Sequence, residues 1–237
     1  MCEKEGIDQG IGRQGAYAES VAVPAGMLRR LPATVSDADG ALIEPLAVAI
    51  RAVGVSGATP DEPVCVLGAG PIGMLTVAAL QSRGFSRIAV VEPVPGRRAA
   101  VQRLGVPAVA PDEAETGVPS LLDDEPPTVA IDATGDPAGA PLAIEMLRPA
   151  GRLTVVGLPD DPGAIDLGTI AFKELTVRGS LSSDDGDFTE AIDYIATGRI
   201  PCRQIVTTAA SLDDAAALLK DLRSGATEQV KVLLRPH

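Results

Sequence analysis

Tryptophan is absent from this chain, and it holds only two tyrosines and three phenylalanines. With aromatics at 2% and hydrophobic residues at 46%, a core has to be assembled from Val, Leu, Ile and Ala. The single histidine, His237, is the last residue, so no His-based catalytic or metal cluster can be drawn from the chain interior. Cysteines are three, Cys2, Cys65 and Cys202, far apart and odd in number, so no disulfide framework is implied. Positive charge is also short. Twenty Lys and Arg face 32 Asp and Glu for a net charge of −12, which argues against nucleic acid and anionic membranes as partners because both are polyanions. No apolar run approaches the length of a membrane span. The N-terminal MCEKEGIDQG is polar, with no basic start followed by an apolar stretch, so no secretory signal is read there. A cytoplasmic enzyme or binding protein is expected.

Glycine (25) and proline (20) are plentiful and scattered, as in an α/β protein with many tight connections. Residues 1–30 are expected as loop and short strand, with apolar residues alternating around Tyr17, Val21 and Val23. SDADGALIE is expected to open a helix on Ser36, and LAVAIRAV after Pro45 to continue as an almost wholly apolar helix stopped by Gly54 and Gly57. From Val64 the rhythm changes to short apolar runs alternating with amphipathic stretches. Strands are expected at 64–69, 87–92, 108–110, 128–133, 152–158 and 175–180, with helices at 71–83, 96–104 and 137–147. The connection PDEAETGVPSLLDDEPP, acidic and broken by proline, allows at most a short helix. Beyond Ser180, DFTEAIDYIATGR and SLDDAAALLKDLRSG carry a helical period, and QVKVLL closes the chain as a strand. The fold class is α/β, with a doubly wound parallel sheet.

Gly68-Ala69-Gly70-Pro71-Ile72-Gly73 is a G-x-G-x-x-G hexamer that follows an apolar strand and opens a helix. Such a turn binds a dinucleotide: the first glycine makes the turn, the second admits the pyrophosphate, and the third packs the helix on the strand. Phosphate charge is then favoured at the helix N-terminus by free N–H groups and the helix dipole. Glu92 ends the next strand, 19 residues after Gly73, where a carboxylate accepts hydrogen bonds from ribose hydroxyls and repels a 2′-phosphate. NAD is therefore preferred over NADP. Arg97 and Arg98 follow closely; they either neutralise a 2′-phosphate or lie on an exposed helix face. Thr134-Gly135, Gly157-Leu158 and Gly179-Ser180 stand at the ends of later strands. There they either line the nicotinamide and adenosine path or only release the chain from the sheet.

The ordered set GAYAESVAVPA, EPLAVA, VLGAGPIGM, VVEP, IDATG, LRPAGRLTVVGL, KELTVRGS and IATGRI resembles zinc-dependent medium-chain alcohol dehydrogenases, in particular the polyol and threonine dehydrogenase branch. The resemblance implies three segments. Residues 1–47 would be the tail of a GroES-like catalytic domain, 48–181 a Rossmann NAD-binding domain, and 182–237 a segment returning to the catalytic domain. It also implies homodimers or homotetramers, with the strand near 175–180 pairing across subunits. Against the family pattern the chain reads as N-terminally truncated. The Cys and Gly-His-Glu ligands of the catalytic zinc are missing, and of the four-cysteine structural lobe only Cys2 has a counterpart.

Glu44, of Glu44-Pro45, is the one position the resemblance links to the catalytic zinc; the alternative is an acid favoured by the dipole at a helix start. Zinc is a cofactor of the family, and this chain alone is expected not to bind it, since a catalytic site needs three protein ligands. Two functions remain open. One is NAD-dependent oxidation of a secondary alcohol (a polyol, cyclitol or amino alcohol) by hydride transfer. The other is a catalytically inactive NAD-binding module. A zinc-independent reductase of the same superfamily is disfavoured by the Glu-Pro pair. No catalytic residue can be assigned from the sequence.

Overall fold

The computed structural model describes Gly10, residues 12–223 and residues 227–236, so Cys2 and His237 fall outside the described residues. Residues 15–24 form bends and extended loop instead of the expected strand, and lead into a 3-10 turn at Ala25–Met27. An alternating pattern needs a neighbouring strand to pair with; none is offered among the described residues, and Tyr17 stays 71% exposed.

Helix α1 (Asp37–Gly40) is short and starts on Ser36, whose side chain accepts from the Asp39 N–H. Helix α2 (Ile43–Ser56) begins ahead of Pro45, not after it. Proline is tolerated in a first turn because N–H groups there have no intrahelical partner. Gly54 lies within α2, and only Gly57, left-handed at φ 62°, ends it. There follow β1 (Val64–Leu67), α3 (Pro71–Ser82), β2 (Ile88–Val91), α4 (Pro95–Arg103) and β3 (Ala108–Val109). The acidic connection holds the short α5 (Ala114–Leu121), then come β4 (Val129–Asp132), α6 (Gly139–Met146) and β5 (Arg152–Val155). Helix α7 (Leu167–Phe172) is unanticipated. It is capped by Asp166, which accepts from the Gly168 N–H at 2.7 Å and the Thr169 hydroxyl at 2.8 Å. The chain ends through β6 (Thr176–Gly179), α8 (Asp185–Ala196), the one-turn α9 (Cys202–Ile205), β7 (Val206–Ser211), α10 (Ala215–Arg223) and β8 (Lys231–Arg235). Helix α9 and strand β7 were also not legible beforehand.

Six strands form one parallel sheet in the order β3-β2-β1-β4-β5-β6, the arrangement of a doubly wound dinucleotide fold. Side chains alternate across a strand, so one sequence feeds two cores. Val64, Val66, Ile88, Val90, Val129 and Ile131 face a cluster built from α2, α3, α4 and α8. Cys65, Leu67, Ala89, Val91 and Ala130 face the opposite cluster, completed by α5 and α6. Each fully buried Leu or Ile contributes about 1.5–3 kcal/mol, which explains how a chain without tryptophan fills both layers with aliphatic side chains. Strands β7 and β8 pair in parallel as a separate two-stranded sheet. Among the described residues, no helix is long and apolar enough to cross a membrane.

Candidate dinucleotide-binding site

The six expected strands of the large sheet end earlier at their carboxyl edges than the apolar runs suggest, and residues released there build the site. Gly68 leaves β1 at φ +91°, a conformation L side chains rarely adopt; a Cβ there would lie 3.1 Å from the Ala133 carbonyl oxygen. Gly73, one turn into α3, packs so tightly on the Gly68 carbonyl that a Cβ would collide with it. Gly70 differs from both. It is the N-cap of α3 with an ordinary φ of −69°, and a Cβ there would meet nothing within 4 Å. Packing inside the protein does not require that glycine. Its small size keeps an approach open to the first N–H groups of α3, which lack intrahelical acceptors. Pro71 and Ile72 are half-buried in that first turn, where Pro71 costs no hydrogen bond.

These elements border a cleft of about 400 Å³, lined among others by Gly68, Gly70, Glu92, Arg97 and Thr134. Five of the residues singled out in the sequence thus meet in one place. Glu92 is only 3% exposed. Its Oε2 accepts from the Ala69 N–H at 2.6 Å and its Oε1 from the Val94 N–H at 2.9 Å, so the carboxylate ties the glycine turn to the start of α4. Each carboxylate oxygen has a further lone pair to offer. Neither Arg97 nor Arg98 lies on an exposed face; both are half-buried. Arg98 donates to the Glu92 and Pro93 carbonyls at 2.7 Å each, and Arg97 Nε donates to the Gln229 carbonyl at 3.3 Å.

Asp132 was missed in the sequence. It ends β4, 3% exposed, and its Oδ1 accepts from the Thr134 N–H at 3.0 Å and the Thr134 hydroxyl at 2.6 Å. Burial raises its pKa, the Thr134 bonds oppose the shift, and nearby Asp136 adds to it. The available signal was a carboxylate closing an otherwise apolar strand in IDATG. Gly157 and Leu158 follow the end of β5. A Cβ on Gly157 would collide with the Gly135 nitrogen, and Leu158 is 75% exposed. Gly179 is exposed in the last position of β6. Ser180 donates its N–H to the Val155 carbonyl at 2.9 Å, while its buried Oγ has no hydrogen-bond partner. These four follow the same carboxyl edge of the sheet but do not line the cleft.

Glu44 is exposed in the first turn of α2. A cation does stand near it: burial depresses the Lys231 pKa, and Glu44 partly offsets that. Among the described residues, no three His, Cys, Asp or Glu side chains gather as a metal site. The two described cysteines are buried thiols, pushed up to about 12 at Cys65 by burial and to about 11 at Cys202 by burial and then Asp39. The donors around Glu44 therefore do not fit zinc, whereas the glycine turn and cleft fit a dinucleotide.

The zinc-binding dehydrogenase family model matches residues 71–197, more than half of the chain. The chain belongs to the zinc-binding dehydrogenase family. Among relatives of this family, a probable D-xylulose reductase A from Emericella nidulans is 29% identical over 95% of the chain and 65% of its own length. An E. coli alcohol dehydrogenase solved with NADH superposes with a TM-score of 0.84 at 26% identity, covering 95% of this chain and 67% of that one. A zinc-binding dehydrogenase from Sinorhizobium meliloti solved with NADP gives 0.85 at 28% identity, covering 96% and 68%. The chain thus spans just under two thirds of the length of that curated relative. Within the family, similarity alone leaves both nicotinamide cofactors open.

Proposed function

We propose that this chain binds NAD in the cleft at the carboxyl ends of β1, β2 and β4. The proposed activity is that of an NAD-dependent dehydrogenase acting on a secondary alcohol, namely a polyol, cyclitol or amino alcohol. The observation that carries the reading is Gly70: a residue whose missing side chain serves no packing need, at the N-terminus of a twelve-residue helix, beside a buried carboxylate. NAD, when bound, supplies the hydride acceptor. The chain's own residues bind and orient it. The α3 N-terminus takes the pyrophosphate, Glu92 offers its remaining lone pairs to the ribose hydroxyls, and Asp132 holds Thr134 in place at the cleft wall. Among the described residues, no group of three His, Cys, Asp or Glu side chains joins Glu44 in a metal site. The resemblance to the polyol branch supports the substrate class.

Titration of the full chain with NADH and NADPH tests this. Glu92→Ala is expected to weaken NADH by about tenfold, as one lost charged hydrogen bond corresponds to ~1.5 kcal/mol, and to narrow the gap to NADPH. Unchanged affinities for both nucleotides would remove Glu92 from the site.

A second reading is an inactive NAD-binding module. Bound NADH without turnover on a polyol panel would select it; turnover with stoichiometric zinc would reject it. A homodimer or homotetramer joined along β6 is the proposed assembly. The strand is a sheet edge, exposed at all four residues, with Val177 at 39% and the nearby Phe172 at 91%. An open sheet edge with unpaired backbone groups favours pairing; a monomer in sedimentation would overturn the assembly.

A further inference from the structure

The corner of the cleft that would receive a 2′-phosphate is the turn from β2 into α4, where Glu92, Pro93, Val94 and Arg97 line the space. NADP-using sites of this fold place an arginine near that phosphate. Here Arg98 is held by two backbone carbonyls, while Arg97, which lines the cleft, is tethered through Nε alone. Arg98 is turned onto the carbonyls of Glu92 and Pro93, and Arg97 is tethered to the carbonyl of Gln229. The tether brings the C-terminal segment to the same corner. Next to Gln229 stands Glu228, an exposed residue whose side chain lies directly over Gly96 in the first turn of α4. A Cβ built on Gly96 would be 2.6 Å from Glu228 Cγ and 2.7 Å from its Oε1. A side chain at position 96 would have to displace that of Glu228.

We propose that Glu228 is a specificity-determining residue: a second carboxylate, delivered from the C-terminal segment, that rejects the 2′-phosphate of NADP at the α4 corner. The inference rests on the reading of the cleft as a nicotinamide-dinucleotide site. Glu92 alone discriminates through hydrogen bonds to a diol, and its two oxygens already serve the Ala69 and Val94 N–H groups. Glu228 has no hydrogen-bonding duty of that kind in the turn. It stands outside the cleft lining, against Gly96 in the first turn of α4, and adds negative charge beside the corner that an additional dianionic phosphate would approach, while the neutral ribose of NAD meets no such repulsion. Being exposed, it acts through solvent, so its effect is moderate and falls as salt is raised.

The test is equilibrium titration of the full chain with NADH and with NADPH, for the natural sequence, Glu228→Gln and Glu228→Lys, at low and high salt. Glu228→Gln, which keeps the side-chain shape over Gly96, is expected to tighten NADPH by about threefold and leave NADH within about twofold. Glu228→Lys is expected to tighten NADPH by about tenfold, and both gains shrink at high salt. If the natural chain binds NADH and both variants keep its NADPH-to-NADH ratio, Glu228 has no part in selection and the proposal falls while the cofactor reading stands. If the natural chain binds neither nucleotide, the cofactor reading falls and takes the proposal with it. Melting temperatures of the three proteins serve as the folding control.

Discussion

Two glutamates mark two regions of this molecule, and they have opposite surroundings. Glu92 ends a strand, is almost wholly buried, and is bonded by the N–H groups of Ala69 and Val94. Glu44 opens a helix, faces solvent, and has Lys231 as its charged neighbour. The Glu92 region is over-determined, since glycines that tolerate no side chain, a left-handed turn and a buried carboxylate depend on one another there. The Glu44 region holds together through α2 packing and would survive loss of the carboxylate. The two motif carboxylates thus differ in how far their neighbours are built around them.

The largest way to break the comparison is Gly73→Val. The added side chain would collide with the Gly68 carbonyl, and overpacking of this kind costs about 3 kcal/mol. Denaturant melts followed by circular dichroism are expected to show that loss together with abolished NADH binding. A variant as stable as the parent would show the glycine turn to be loosely built.

A middle-sized effect is expected from Asp132→Asn, a gain of about 1 kcal/mol at neutral pH, because it removes a buried charge whose desolvation outweighs its two Thr134 bonds. The pH dependence has a definite sign. The folded pKa of Asp132 is raised above 3.8, chiefly by burial. The folded state therefore holds this proton more tightly than the unfolded one, and the associated stability is complete below 3.8 and lost as pH rises through the raised value. Relative to Asp132→Asn, the parent should lose stability as pH climbs out of that acid range, as paired denaturant melts would reveal. A parent advantage that grows with pH there would contradict the burial assignment.

The smallest effect is expected from Glu44→Gln, within about 0.5 kcal/mol, the usual range for an exposed substitution. NADH affinity should be unchanged. Zinc bound stoichiometrically by the parent and lost in Glu44→Gln would overturn the contrast between the two glutamates and place Glu44 in a metal site.

Much of the architecture was legible because burial on two faces leaves a periodic trace. The alternation of Val64, Cys65, Val66 and Leu67 gives a strand whichever core each residue enters, and all six sheet strands were anticipated. Strand ends were overestimated because apolar residues continue past the last ladder bond, as at Ala69 after Gly68 has already turned. Helix α7 and strand β7 escaped for a related reason. LGTIAF and VTTAAS are short and weakly periodic, and are fixed by a cap at Asp166 in one case and by pairing with β8 in the other.

The sequence by itself determined the parallel α/β order, the glycine turn at 68–73 and the carboxylate that follows it, because spacing along a strand–turn–helix unit is local geometry. Only the tertiary structure decided what each charged group does. It buried Glu92 between two turns and bent Arg98 back onto carbonyls. It placed Lys231 beside Glu44, and it carried Glu228 across the chain onto Gly96. Charge acts through space and depends on burial and distance, and neither is written in the order of residues.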